Sequence, residues 1–234
     1  MILTASAIQK AVQSGTIEID PFDPSQLNPN SYNMRLGGQL AAYLPNGPVP
    51  DEYLADGPTW DVVFRSRFRE GKSLPPATLA WGDKNPVLRL DIPKEGVVIH
   101  PHKLYLGYTQ ERTASNHYVP ILDGRSSGAR LGIAVHITGG FGDLGFNGNW
   151  TLEIRVVEPV RIYADSCICQ IRFEVPEGPT DLLYKGKYQN QEARPVASRL
   201  YKEHEYYAIN GDTKTEDQKE NESEDPGEGP SAKE

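Results

Sequence analysis

Leu122-Asp-Gly-Arg-Ser-Ser-Gly-Ala-Arg-Leu-Gly-Ile-Ala-Val-His136, followed at short range by Gly142-Asp-Leu-Gly-Phe-Asn-Gly-Asn-Trp-Thr-Leu-Glu153, is the stretch on which the reading of this chain turns. Short apolar runs alternate here with glycine-punctuated turns, a pattern of strands and not of long helices. Arg125, Ser126, Ser127 and Arg130 share one glycine-bounded segment. Arginine grips phosphate through a planar fork of donors. Serine adds hydroxyl donors, and glycine lets backbone N–H groups approach an anion closely. Taken alone, the same residues also describe a solvated surface turn. Glu153 ends an apolar run, which aims it at a pocket. The competing reading is a cross-strand charge on a sheet face, paired with Arg155 two residues on.

The pattern extends outward. Runs at Val87–Ile92, Gly96–Ile99, Leu104–Thr109, Val119–Leu122, Ile133–Ile137, Trp150–Val157, Val160–Tyr163 and Cys167–Val175 recur every 8–12 residues. They are too short for helices, and Gly or Pro stands in nearly every gap, so the fold is predicted to be all-β, a sandwich or barrel. Residues 2–15 read as a short amphipathic helix, with Thr4 or Ser6 as N-cap and Gly15 as its stop. Ile17-Glu-Ile19 alternates as a strand, and Asn28–Gly37 is a turn feeding another. Ser126–Leu131 is a helical turn between strands. Residues 45–86 are rich in Pro and Gly and read as an insertion. One domain over 1–202 is expected, with 203–234 as an acidic tail.

Charge supports that division. The chain carries −8, and Gly211–Glu234 holds nine acidic residues against three lysines, which leaves the body near −2. A nearly neutral body argues against broad nucleic-acid binding. Asp212–Glu234 has almost nothing to bury and is predicted to be disordered. No apolar run approaches the roughly 20 residues that span a bilayer, and no secretory signal is evident at the N-terminus. Cys167 and Cys169, two apart, are poorly spaced for a mutual disulfide and read as reduced thiols of a cytoplasmic protein. His-x-Glu and Cys-x-x-Cys are both missing, so a zinc deaminase site is not expected. A lone His136 is more at home in a core or an interface than in catalysis.

Gly124-Arg-Ser-Ser-Gly-Ala-Arg-Leu-Gly132, followed by Gly145-Phe-Asn-Gly-Asn-Trp-Thr-Leu-Glu153, resembles the dCTP deaminases of the dUTPase-like superfamily. The likeness covers most of 1–43 and 87–202. It includes Ser31-Tyr-Asn-Met-Arg-Leu-Gly37, where Asn33 replaces a usual Asp, and Tyr184-Lys-Gly-Lys-Tyr-Gln-Asn-Gln191. It implies a dUTPase-like distorted β-barrel or jelly-roll, and a homotrimer with sites between subunits. It also implies zinc-free hydrolysis of dCTP to dUTP and ammonia. Glu153 would be the general acid/base, with Ser126 and Arg130 beside it and a backbone carbonyl near Gly139 holding the water. The nucleotide would be bound by Arg125, Ser126, Ser127, Arg130, Asp143, Phe146, Thr151, Leu152, Tyr184, Lys187 and Gln191. Residues 184–191 would close as a flap, and Mg²⁺ would ride on the triphosphate. Gly139 stands where Ala or Thr is usual, and Gly142-Asp-Leu-Gly145 where Ile-Asp-Pro-Gly is usual; both changes loosen the loop.

The ending Val196-Ala-Ser-Arg199 resembles monofunctional members, so dUTP is the expected product. A bifunctional enzyme giving dUMP, a dUTPase and a non-catalytic nucleotide-binding regulator are the alternatives. Deleting 212–234 is expected to leave fold, assembly and activity intact. Loss of the oligomer on size-exclusion chromatography of the truncated protein would contradict this.

Overall fold

The structure is a computed structural model that describes residues 1–43 and 87–200. The expectations for the 45–86 insertion and for the 203–234 acidic tail lie outside these residues. The opening segment forms helix α1 (Ala5–Gln13), which starts after Thr4 and gives way at Ser14 to Gly15 with φ +73°. Alanines at 5, 7 and 11 favour the helix. Its Ile8 and Ala11 are buried against the strands.

The described residues form twelve strands. They are β1 (Glu18–Asp20), β2 (Leu27–Asn28), β3 (Ser31–Arg35), β4 (Gln39–Tyr43), β5 (Val87–Asp91) and β6 (Val97–Ile99). After these come β7 (Tyr105–Ala114), β8 (Val119–Gly124), helix α2 (Ser126–Arg130), β9 (Ile133–Ala134), β10 (Asn147–Val156), β11 (Val160–Ile162) and β12 (Cys167–Glu174). One sheet runs β5-β4-β7-β10-β9 with β1 also on β7. A second runs β2-β3-β12-β8, and β6 pairs β11. Every strand pairing is antiparallel. The core gathers side chains from both larger sheets, among them Tyr32, Met34, Leu40, Tyr105, Leu152, Ile154, Ile171 and Phe173. Each contributes about 1.5–3 kcal/mol by leaving water.

Three differences from the predicted runs have physical causes. Strand β7 extends five residues past Thr109, because polar Glu111 and Thr113 are buried and keep the alternation going. The run at Ile133–Ile137 pairs only at Ile133 and Ala134. Its remainder peels away to β8, where the N–H of Leu122 donates to the Gly140 carbonyl at 2.7 Å and that of Gly142 to the Pro120 carbonyl at 3.0 Å. A register shift between Cys167 and Cys169 makes the first thiol half-buried and the second fully buried.

The two large sheets are clamped by one carboxylate. Glu111 of β7 has no solvent exposure. It accepts from the Arg35 guanidinium at 2.7 Å and the Arg35 backbone N–H at 2.8 Å, both on β3, and from Gln26 at 3.1 Å. Removing one partner of such a pair leaves a charge buried and unpaired. Arg35→Met is therefore expected to cost about 3 kcal/mol, read as a lower urea midpoint. Adding Glu111→Leu to it should restore much of that loss.

Candidate active site

Strand β10 places its side chains by simple alternation. Leu152 and Ile154 are fully buried in the core, while Thr151 and Glu153 face the other way. Across the ladder, Glu153 lies opposite Leu106 and Thr151 opposite Tyr108 on β7. A cavity of about 460 Å³ opens on this face, a size that suits a small organic ligand. Glu153, Thr151, Phe146, Trp150, Asp143, Tyr184 and Gln191 line it, together with Tyr43, Leu104, Leu106, Gly139, Tyr188, Val196 and Ser198.

The walls are aromatic and tightly held. The Phe146 and Trp150 rings lie 5.0 Å apart between centroids, and Tyr184 is 6.0 Å from Phe146. The Trp150 indole N–H donates to Thr113 Oγ1 at 2.8 Å. Gln191 Oε1 accepts from the Thr151 hydroxyl at 3.0 Å. Its backbone carbonyl accepts from the Asn149 N–H at 3.0 Å, which stitches the predicted flap onto the start of β10. Asp143 is exposed at the rim.

Glu153 is half-buried, and the segment after β9 covers it. Its Oε2 accepts from the Ile137 N–H at 3.3 Å. Gly139 comes so close that an added Cβ would lie 3.3 Å from both carboxylate oxygens. No cation of the described residues pairs with Glu153, and Arg155 is exposed. Burial pushes the Glu153 carboxyl above its ordinary value of 4.5; the Ile137 N–H and nearby His136 pull weakly the other way. His136 does not line the cavity. Its Nε2 stands 3.7 Å from Asp123, which also accepts from Arg172.

The phosphate-gripping residues predicted from sequence are not in this cavity. Ser126, Ser127 and Arg130 lie on α2, which buries none of its residues. Arg125 donates to the Cys167 carbonyl at 2.7 Å. Within one chain the structure therefore separates these four from Glu153. Leu152 also departs from the expectation, since period-two alternation sends its side chain to the core. Lys187 has its ammonium 4.9 Å over the Tyr188 ring. Tyr43, Leu104, Leu106, Tyr188, Val196 and Ser198 were not foreseen. Tyr188 had a signal from its place inside the flap phrase, and Val196 and Ser198 from theirs in the Val196–Arg199 ending; the other three had none. Among the described residues no group of three or more His, Cys, Asp or Glu could hold a metal ion, and no helix is long and apolar enough to cross a membrane.

A mainly β fold that holds one desolvated carboxylate in an aromatic cavity has the equipment of an acid–base enzyme acting on a planar polar molecule. The profile of the dCTP deaminase-like family matches residues 2–175. A Clostridium beijerinckii protein named dCTP deaminase, dUMP-forming, is 40% identical over 205 residues, covering 88% of this chain and 99% of that protein. A Leptospira biflexa protein of the same name is 43% identical over 206 residues, with the same coverage. The solved 2'-deoxycytidine 5'-triphosphate deaminase from Agrobacterium tumefaciens superposes with a TM-score of 0.51 at 21% identity. That match spans 75% of this chain and 48% of the other, and it bears out the predicted fold. The chain belongs to the dCTP deaminase-like family.

The carboxyl of Glu153 is expected to titrate above 4.5, because burial disfavours its charged form. Carbon-13 NMR of the labelled carboxyl reads this directly, and a midpoint at or below 4.5 would contradict the geometry.

Proposed function

We propose that this enzyme deaminates dCTP and then releases pyrophosphate, giving dUMP. The observation that carries the first step is Glu153, desolvated in the cavity yet free of any cationic partner among the described residues. A desolvated carboxylate whose pKa is raised is a better proton acceptor than a solvated one and can return the proton it takes. Glu153 removes a proton from water, and the hydroxide adds to C4 of the cytosine. The proton passes to N3, Glu153 then carries the proton of the new C4 hydroxyl to the exocyclic amine, and ammonia leaves as the C4 carbonyl forms. The carbonyl near Gly139 and the Ser126 hydroxyl hold the water, and Arg130 keeps their geometry.

The second step replaces the dUTP-forming reading drawn from Val196–Arg199. Relatives about 40% identical along nearly their whole length are named dUMP-forming, and this favours the bifunctional alternative. A second water attacks the α-phosphorus, the α–β phosphoanhydride bond breaks, and pyrophosphate departs. Asp143, exposed at the rim, is the carboxylate available to hold the sugar hydroxyl or that water. Mg²⁺ enters with the triphosphate, bound by phosphate oxygens and water.

Ser126 and Arg130 reach the site from a second copy in a homotrimer. Two observations support this: α2 lies outside the cavity of its own chain, and Leu131 just after α2, Ile137 and Phe141 on either side of Gly139, and Val157 just after β10 are exposed large apolar side chains.

Glu153→Gln should lower deamination by about 10²–10⁴-fold while dCTP still binds. Chromatography of the wild-type reaction should show pyrophosphate rising in step with ammonia; accumulation of dUTP would restore the one-step reading. Co-refolding Glu153→Gln with Ser126→Ala should regain up to about a quarter of wild-type activity, since a random closed trimer pairs intact halves at that frequency. No recovery would place both residues in one chain's site.

A further inference from the structure

The Trp150 indole is held at both ends. Its Nε1–H donates to the hydroxyl of buried Thr113 at 2.8 Å. Thr113 sits between two neighbouring strands, opposite Ile19 of β1 and Gly148 of β10. The far edge of the ring covers Gly142, where an added Cβ would stand 2.4 Å from Cη2 of the indole and 2.8 Å from the Pro120 carbonyl. Gly142 is thus sandwiched between the indole and β8, where its own N–H donates to that Pro120 carbonyl at 3.0 Å. The next residue is Asp143, exposed at the rim of the cavity. Beyond it, the Phe146 N–H donates to the Asp143 carbonyl at 3.2 Å and the Gly145 N–H to the Ser115 carbonyl at 2.8 Å. Asp143 therefore stands on a short span, one end of which rests on Trp150. Glu153 is held separately, by the Ile137 N–H and the approach of Gly139. Between the two carboxylates the chain is pinned by the Gly140 carbonyl, which accepts from the Leu122 N–H at 2.7 Å.

We propose that Trp150 is a positioning residue for Asp143, a strut anchored at Thr113 that fixes where this carboxylate stands at the rim. The consequence for the reaction rests on the two-step reading. The strut governs the attack of water on the α-phosphorus, with departure of pyrophosphate, and leaves the proton transfers of Glu153 largely untouched. A displacement of about 1 Å at a group that orients a reactant costs on the order of 10²-fold in rate. A buried indole N–H left without its acceptor is a cause of such displacement, because the ring must shift to find another. A ring that merely filled space beside the cavity would alter both steps together.

Thr113→Val removes the acceptor at nearly constant shape, and Thr113→Ser keeps it. With the full-length protein and dCTP, Thr113→Val should slow pyrophosphate release by about tenfold or more while ammonia release stays within about threefold of wild type, so that dUTP accumulates. Thr113→Ser should keep the wild-type product ratio. Trp150→Phe, which loses both the N–H and the ring edge over Gly142, should also accumulate dUTP. An equal fall in ammonia and pyrophosphate, or an unchanged product ratio in Thr113→Val and Trp150→Phe, would overturn the proposal. Carbon-13 NMR of labelled aspartate carboxyls, recorded without nucleotide, reads the strut by itself. The Asp143 resonance should move in Thr113→Val and keep its place in Thr113→Ser; an unmoved resonance in Thr113→Val would overturn the positioning role. If the wild-type protein ends at dUTP, the two-step reading falls and the Asp143 resonance still decides the strut.

Discussion

A single buried carboxylate ties this fold together. Glu111 lies at the crossing of β7, the central strand of the larger sheet, and β3 of the second sheet. With no exposure, it satisfies its oxygens through Arg35 and Gln26. Ionised carboxylates are rarely left in such a place without partners. The constraint propagates, because β7 is also the template on which β10 is laid. Asn149 donates to the carbonyls of Thr109 and Gln110, and the Trp150 N–H to the Thr109 hydroxyl. These bonds sit at a register shift between Asn149 and Thr151. One residue more or less in that ladder would turn Glu153 into the core and Leu152 out to the cavity.

Close backbone approach is the second condition of the site. The segment from His136 to Gly142 must run along β8 and still cover Glu153. At Gly140 an added Cβ would meet the Leu122 carbonyl at 2.4 Å, and at Gly142 the Trp150 ring at 2.4 Å. The glycine at 142 breaks the residue pattern usual in the resembling family, and from sequence it looked like a loosening of the loop. In the fold it is a fit: the indole of Trp150 fills the space that a side chain at 142 would take. The loss of one side chain and the presence of the other belong to a single packing arrangement.

Most of the architecture was legible because burial follows alternation. The runs at Val87, Val119, Trp150, Val160 and Cys167 became strands close to their predicted bounds. What alternation hides is a buried polar residue. Gln110-Glu-Arg-Thr113 lies beyond the apolar run that ends at Thr109, and the Arg35 partnership, 76 residues away, helps make it the second half of β7. The site was legible in a similar way and failed in a similar way. Asp143, Phe146, Thr151, Glu153, Tyr184 and Gln191 share one cavity because β10, the loop before it and the flap bring them there. Tyr43 and Leu106 join through the pairing of β4 with β7, and Leu104 stands just before β7; sheet pairing leaves no local mark in a sequence. Closeness along the chain also misleads. Ser126 precedes Glu153 by fewer than thirty residues, yet α2 buries none of its residues and none of them lines that chain's cavity.

The same distinction between local phrase and spatial role explains the disputed product. Val196-Ala-Ser-Arg199 resembles the ending of one-step enzymes, and taken as a phrase it argued for dUTP. In the fold, the backbone of these residues is occupied with construction. Val196 binds Thr151, Ser198 binds Tyr43, and Arg199 binds Tyr188 through its N–H and the Lys187 carbonyl through its guanidinium at 2.7 Å. A segment selected to close a wall reports on the wall's packing. Hydrolysis at the α-phosphorus depends instead on a second water and a carboxylate or cation at the rim, where Asp143 stands exposed. The phrase therefore carries little weight on whether pyrophosphate is released, and similarity along nearly the whole length of dUMP-forming relatives carries more.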